Sequence, residues 1–233
     1  MTPSPILVLG MHRSGTSCLA GCLEAGGLYL GDVDTYSNFN KKGTRENRDL
    51  MEVHDAALAA HGAAWDAPPP GPVSWPADQF APLKAHVESF GDRPLWGGKD
   101  PRALFLLEGW ERLTEPRYVA TYRHPAAVIA SLTTRAKAWG DETFTETKAL
   151  GLWTAYNARL LDQRARAPFP LIRFDQSAED YLAKLADLCA PLGLDGAKAA
   201  EFYSGQLRNH DDAAAPVPEA AREIWERLEE AAV

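Results

Sequence analysis

The apolar positions of this chain follow two rhythms that alternate along its length. Ile6-Leu7-Val8-Leu9 is an unbroken apolar run closed by Gly10, the pattern of a strand buried on both faces. Gly15-Thr16-Ser17 then opens a stretch with Leu19, Cys22 and Leu23 at helical spacing, stopped by Gly26-Gly27. The order strand, tight loop, helix returns twice. Leu95 to Gly98 leads through Lys99-Asp100-Pro101-Arg102 into a helix ending at Leu113. Arg117 to Tyr122 leads through Arg123-His124-Pro125 into a helix ending near Lys137. Pro170 to Phe174 predicts a fourth strand with Asp175 at its end, followed by a helix from Glu179 to Leu192. Helical periods also appear in Leu50, Val53, Ala57 and Leu58, in Phe80, Leu83, Val87 and Phe90, over Phe144 to Arg164, and from near Pro218. Residues 31–47 are polar and rich in Gly and Asn, and the stretch from Ala67 to Pro76 carries five prolines, so both are irregular.

Alternating strands and helices predict an α/β fold, a parallel sheet with helices on both faces. We read residues 1–233 as one domain of P-loop-like architecture, with 31–95 as an inserted loop-and-helix region. In such sheets ligands bind at the carboxyl ends of the strands. Three of the predicted strands end directly in basic loops, carrying Arg13, then Lys99 and Arg102, then Arg123.

Composition narrows the function classes. With 45% hydrophobic and 24% charged residues in 233, the chain is globular and long enough to need no disulfide or metal staple. A net charge of −8 argues against broad nucleic-acid binding, which requires excess positive charge. It leaves room for a small anion held by a few arginines. Three cysteines, Cys18, Cys22 and Cys189, form no CxxC pair and suit a reducing cytoplasm. Cys18 and Cys22 read as small core residues, and no metal site is expected. The first apolar run is too short for a signal peptide, and no stretch reaches membrane-spanning length, so we expect a cytoplasmic protein without an integral membrane segment.

Gly10-Met11-His12-Arg13-Ser14-Gly15-Thr16-Ser17 has the Gly-x4-Gly frame of a phosphate loop between strand and helix, where backbone N–H groups and the helix dipole favour an anion. The loops of ATP- and GTP-hydrolysing proteins carry Lys directly after the second Gly. Here that position is Thr16, and the cation sits inside the loop at Arg13. Asp100 and Asp175 are the candidates for a metal-binding Asp at a strand end. Further along, Arg123 stands at a predicted strand end, Pro125 suits the first turn of a helix, and Ser131 lies along that helix. The planar guanidinium fork of Arg123 suits phosphate.

Together these segments resemble the motifs of sulfotransferases that use 3′-phosphoadenosine-5′-phosphosulfate (PAPS), in particular the short-chain bacterial members. Arg13-Ser14-Gly15-Thr16-Ser17 matches the family's loop of Lys or Arg followed by Ser/Thr-Gly-Thr-Ser/Thr. Arg123-x-Pro125, with Ser131 eight residues after the Arg, matches its second motif. Weaker likeness covers Gly43 to Asn47, Gly98 to Arg102, the helix with Trp153, and Ile172 to Leu194. The resemblance implies transfer of a sulfuryl group to a hydroxyl or amine of an acceptor, with PAPS as donor, 3′-phosphoadenosine-5′-phosphate (PAP) as product, and no metal required.

It also implies roles for residues. Arg13 stabilises the leaving phosphate; Ser14, Gly15, Thr16 and Ser17 cradle the 5′-phosphate; Arg123 and Ser131 hold the 3′-phosphate, so that the two arginines grip opposite ends of the donor. Glu46 resembles the position of a carboxylate base in related bacterial enzymes, and His54, two helical turns on, is the second choice. Lys99 and Arg102 are candidates for the transferring sulfonate or an anionic acceptor. Arg208 and His210 are placed in a tail that often adds a contact to the 3′-phosphate. His12 and His124 flank the two motifs, while Trp153 and Tyr156 read as core. No residue is assigned to stack on adenine. The expected partners are an anionic adenosine nucleotide and an acceptor such as a carbohydrate or small metabolite, with no nucleic acid; a homo-oligomer stays open. The alternatives are a small-molecule or nucleotide kinase with a degenerate loop, and a nucleotide-binding module without chemistry.

Overall fold

The computed structural model describes residues 4–37, 40, 42–203 and 215–232. Four short strands, β1 (Ile6–Leu9), β2 (Gly97–Lys99), β3 (Arg117–Tyr122) and β4 (Leu171–Arg173), form one sheet in the order β2-β1-β3-β4. All three pairings are parallel. Val8 lies opposite Lys99 on one side and Val119 on the other, and Tyr122 lies opposite Arg173. This is the expected α/β architecture, with both sheet faces covered.

Side-chain alternation splits the apolar residues into two cores. Leu7, Leu9, Ala120, Tyr122 and Leu171 point into one; Ile6, Val8, Val119 and Ile172 point into the other. The second core is closed by α1 (Thr16–Ala25), α7 (Ala178–Leu192) and α8 (Gly196–Phe202). The first is larger and is closed by α2 (Arg48–Ala59), α3 (Ala77–Glu88), α4 (Ala103–Leu113), α5 (Pro125–Ala138), α6 (Glu146–Arg166) and α9 (Arg222–Ala231). Leu50, Ala57, Leu58, Leu83 and Val87 place the 48–90 stretch inside that core. Trp153 and Tyr156 are fully buried there, as expected of core residues.

Local signals set most helix starts. Asn47, Thr145 and Ser177 each accept a backbone N–H of the first turn of α2, α6 and α7. Pro125 occupies the first turn of α5, with His124 as its cap. Two elements depart from expectation. The strand predicted from Leu95 begins at Gly97; Trp96 just before it forms an isolated parallel bridge with Tyr29 and stacks on Phe90 at 4.3 Å between ring centroids. A Cβ at Gly97 would sit 2.0 Å from the Ile6 carbonyl oxygen, so only glycine allows β2 to approach β1 here. Truncating Trp96, which is buried to 0% exposure, to Ala would cost about 3–5 kcal/mol. The seven-residue α8 was not predicted. Asp195 caps it by accepting from the amides of Ala197 and Lys198 at 3.0 and 3.1 Å, and Phe202 fills the space beside Gly21 of α1. Among the described residues no helix is long and apolar enough to cross a membrane, and the three cysteines are buried and in no disulfide.

Candidate active site at the carboxyl ends of the strands

β1 delivers the chain into the loop 10–15, and α1 leaves from it. Arg13 adopts φ 65, in the left-handed region, a conformation that costs an ordinary residue about 1–3 kcal/mol and is found at working sites. Gly15 has φ 89, and a Cβ there would meet the Phe174 ring at 2.3 Å, so no other residue fits. α1 starts with no side-chain cap. The first-turn amides of Thr16, Ser17 and Cys18 have no intrahelical acceptor, and these residues line a pocket at the positive end of the helix.

The loop is held from below by β3 and α5. Thr121 Oγ1 donates to the Ser14 carbonyl at 3.2 Å, and Arg123 Nη1 donates to the Arg13 carbonyl at 3.4 Å. Arg13 Nε donates to Ser131 Oγ at 2.8 Å, a bond between residues 118 positions apart. The two motifs singled out in the sequence therefore meet. Their arginines line one pocket, on neighbouring walls. Burial, with Arg135 and Arg123 close by, pushes Arg13 down to about 10, which leaves it charged at neutral pH. Ser14 is fully buried, and its Oγ has no partner among the described residues.

Lys42, Phe174 and Phe202 complete this first pocket. Arg123 lies 5.5 Å from the Phe174 ring centroid, and Lys42 lies 4.3 Å from that of Phe202. Sequence reasoning missed all three. Phe174 was within reach, since it closes a predicted strand on the face of Ile172. Phe202 was not, because its helix carried no recognisable signal. Arg208 and His210 lie outside the described residues.

Arg13, Thr16 and Ser17 also line a second cleft, which encloses about 280 Å³. Its floor is ionic. Lys99 donates to Glu46 Oε1 in a buried ion pair. Arg102 bonds Asp100 Oδ1 through Nη1 at 2.9 Å and Asp55 Oδ1 through Nε at 2.6 Å. Glu46, Lys99 and Arg102 thus reach the cleft as expected, each already bonded to an opposite charge. Behind them, His54 Nδ1 lies 2.8 Å from Asp100 Oδ2, and Trp110 Nε1 donates to His54 Nε2 at 3.2 Å. Indole N–H only donates, so His54 Nε2 is the acceptor and Nδ1 carries the proton that goes to Asp100. His54 has 0% exposure, both nitrogens are engaged, and it does not line the cleft. The expectation that it shares the cleft with Glu46 is corrected: residue 54 faces inward because α2 buries that side against α4.

Burial alone would raise the Asp100 carboxyl, but His54 and Arg102 outweigh it and hold it well below the usual carboxylate range. Asp100 is therefore the anchor of Arg102. Asp175 is also structural: it accepts from the His124 amide at 3.0 Å and from Arg173 Nε at 2.8 Å. Among the described residues no group of three or more His, Cys, Asp or Glu side chains is placed to hold a metal ion.

The cleft walls are aromatic and aliphatic. Trp65 and Phe144 stack at 6.5 Å, and Leu132 lines the opposite α5 side. Arg135, which sequence reasoning also missed, covers the Trp139 ring at 4.1 Å. His12 packs against Trp65 at 5.0 Å and Tyr156 at 5.7 Å. Its Nε2 is buried with no partner among the described residues, and such an unmade bond costs about 1–3 kcal/mol. Burial, then the positive charges of Arg102 and Lys99, hold His12 well below the ordinary imidazole value, so it is neutral at pH 7.

The model of a family described as "Sulfotransferase family" matches residues 5–198. The sulfotransferase domain from the curacin biosynthetic pathway superimposes with a TM-score of 0.60 at 18% identity, covering 97% of this chain and 98% of that one. The sulfotransferase domain from the Synechococcus PCC 7002 olefin synthase gives 0.60 at 18% identity, covering 98% and 94%. A sulfotransferase from Alicyclobacillus acidocaldarius gives 0.57 at 18% identity, covering 99% and 96%. These likenesses speak for the fold. No curated protein sequence matches the chain.

Proposed function

The chain belongs to the sulfotransferase family, and from that membership we propose that it transfers a sulfuryl group from PAPS to a hydroxyl or amine of an acceptor. The observation that carries the reading is the Arg13–Ser131 hydrogen bond, with Arg123 bonded beneath the same loop. It ties together a helix N-terminus and two guanidinium groups that line one pocket, with the Ser131 hydroxyl bonded to Arg13. The unpartnered Ser14 Oγ and the uncapped start of α1 fit a phosphate group that would bond to both. When bound, the donor supplies an activated sulfuryl group on a 5′-phosphate.

The chain's own residues then have the following work. The loop from Ser14 to Ser17 holds the 5′-phosphate through backbone amides. Arg13 stays charged and stabilises the negative charge that gathers on the leaving phosphate, acting as a fixed cation and donor. Arg123 and Ser131 bind the 3′-phosphate. Phe174 and Phe202 flank the pocket as flat apolar walls for adenine. In the adjoining cleft, Lys99 directs a cation at the transferring sulfonate, and the free lone pairs of Glu46 orient the acceptor. Arg102, anchored by Asp100 and Asp55, adds positive potential. Trp65, Phe144 and Leu132 exclude water from the acceptor. Three buried cysteines outside any disulfide fit a reducing cytoplasm.

Calorimetry with PAP and with 5′-AMP tests the reading. PAP is expected to bind at least about tenfold more tightly, because Arg123 and Ser131 meet only a 3′-phosphate. Equal binding of the two, or binding of neither, would overturn it.

A further inference from the structure

We propose that His12 is the general base that takes the proton of the acceptor. The inference rests on the sulfotransferase reading above and names a residue of the same cleft. His12 directly precedes Arg13, so one loop presents a cation toward the donor and an imidazole toward the acceptor. Its Nε2 is buried without a partner among the described residues, whereas each neighbouring carboxylate already accepts from a donor. Glu46 is held by Lys99, Asp66 accepts from Lys148 at 2.6 Å, and Asp141 accepts from Thr143 Oγ1 at 2.6 Å. His54 is locked between Asp100 and Trp110. Among the described bases lining the cleft, His12 is the one with no hydrogen bond or ion pair to another side chain, and with Nε2 buried its Nδ1 edge is the one that can meet the acceptor.

Its surroundings suit the task. Trp65 and Tyr156 pack against the ring and fix its plane. Lys99, Asp100 and Arg102 face it from β2 and the loop that follows, Arg135 from α5, Arg13 from its own loop and Glu46 from the loop before α2. Burial, and after it the excess of cations, keeps the imidazole neutral. A multiply anionic donor seated among those cations lowers the cost of forming the imidazolium during transfer. As the acceptor oxygen bonds to sulfur, the imidazole lone pair takes the acceptor proton. The bond between sulfur and the bridging oxygen of the 5′-phosphate breaks, and its electron pair stays on the phosphate beside Arg13.

The test needs no identified acceptor, because water can serve. PAP release from PAPS is measured for the unaltered protein, His12→Ala and His12→Asn, with PAP affinity measured by calorimetry. Both variants are expected to bind PAP within about threefold of the unaltered protein and to hydrolyse PAPS about 100-fold more slowly or worse. Added imidazole is expected to restore part of the rate in His12→Ala, and substituted imidazoles to do so in order of their basicity. By nitrogen NMR, the His12 ring is expected to be neutral at pH 6 in the free protein and to titrate at higher pH once PAP is bound. Full hydrolysis by His12→Ala, slow hydrolysis that imidazole does not rescue, loss of PAP binding in both variants, or PAP binding without any PAPS hydrolysis in the unaltered protein would each overturn the proposal. Failure of the unaltered protein to bind PAP would overturn the donor reading itself.

Discussion

The two halves of the site share Arg13, Thr16 and Ser17 but are built from different materials. The donor pocket is largely backbone: a strained loop, an uncapped helix start and arginines from the ends of adjacent strands. The acceptor cleft is side chain against side chain, with Glu46, Trp65, Lys99, Arg135 and Phe144 arriving from separate segments. Its floor is a chain of bonded groups running from the exposed Asp55 carboxylate through the buried Arg102 and Asp100 to the buried His54 imidazole, with Lys99 and Glu46 beside it. Damage to the first half should therefore appear in binding or turnover with the fold intact. Damage to the second should appear in stability as well, because a buried charge that loses its partner is costly.

The sharpest break of that contrast is Lys99→Met. It leaves the buried Glu46 carboxylate without its cation and is expected to cost about 3–5 kcal/mol in urea unfolding, much of it recovered in the Lys99→Met/Glu46→Gln double variant. An unchanged midpoint would mean that the floor contributes no coupled stability. Next comes Arg13→Ala on the donor side. Turnover is expected to fall about 100- to 1,000-fold, near 2.7–4 kcal/mol, with the unfolding midpoint barely moved. A large loss of stability instead would erase the distinction between the halves.

Arg123→Ala should raise the dissociation constant for PAP about 10- to 100-fold and leave that for 5′-AMP unaltered. Equal weakening of both would show that Arg123 supports the loop rather than the 3′-phosphate. The smallest effect is a pH dependence on the cleft side. His86, packed on Phe90 and Trp110, is lowered to about 4 by burial, with His54 adding to it. The unfolded chain then takes up the proton first, so stability falls as pH drops from about 6.5 toward 4, by about 2 kcal/mol after allowance for partial exposure. Urea midpoints at pH 7.5 and 4.5, for the unaltered protein and His86→Phe, measure it; the variant should show the smaller drop.

The same contrast explains what could be read in advance. Arg13 and Arg123 were legible as strand-end arginines because each sits at a fixed offset from a Gly or Pro, whereas Ser131 entered only through the family resemblance. Such loops take their shape from a few adjacent dihedrals. Phe202 was missed because a seven-residue helix has too short a period to register. Arg135 was missed because one basic residue in an amphipathic helix does not announce which way it faces. His54 was misplaced for a related reason: helical spacing from Glu46 fixes its height along α2, but rotation about the axis is set by what α2 packs against.

Taken alone, the amino-acid sequence determined the alternation of strands and helices, the parallel sheet, the phosphate-type loop and the arginine that answers it. These follow from local periodicity and from residues whose backbone geometry is restricted, which act over a few positions. The pairing of Lys99 with Glu46, the inward turn of His54, the rings beside the donor pocket and the unpartnered nitrogen of His12 were decided only by tertiary structure. Each depends on side chains from distant segments competing for the same buried volume and the same few charges, and that contest has no signature along the chain.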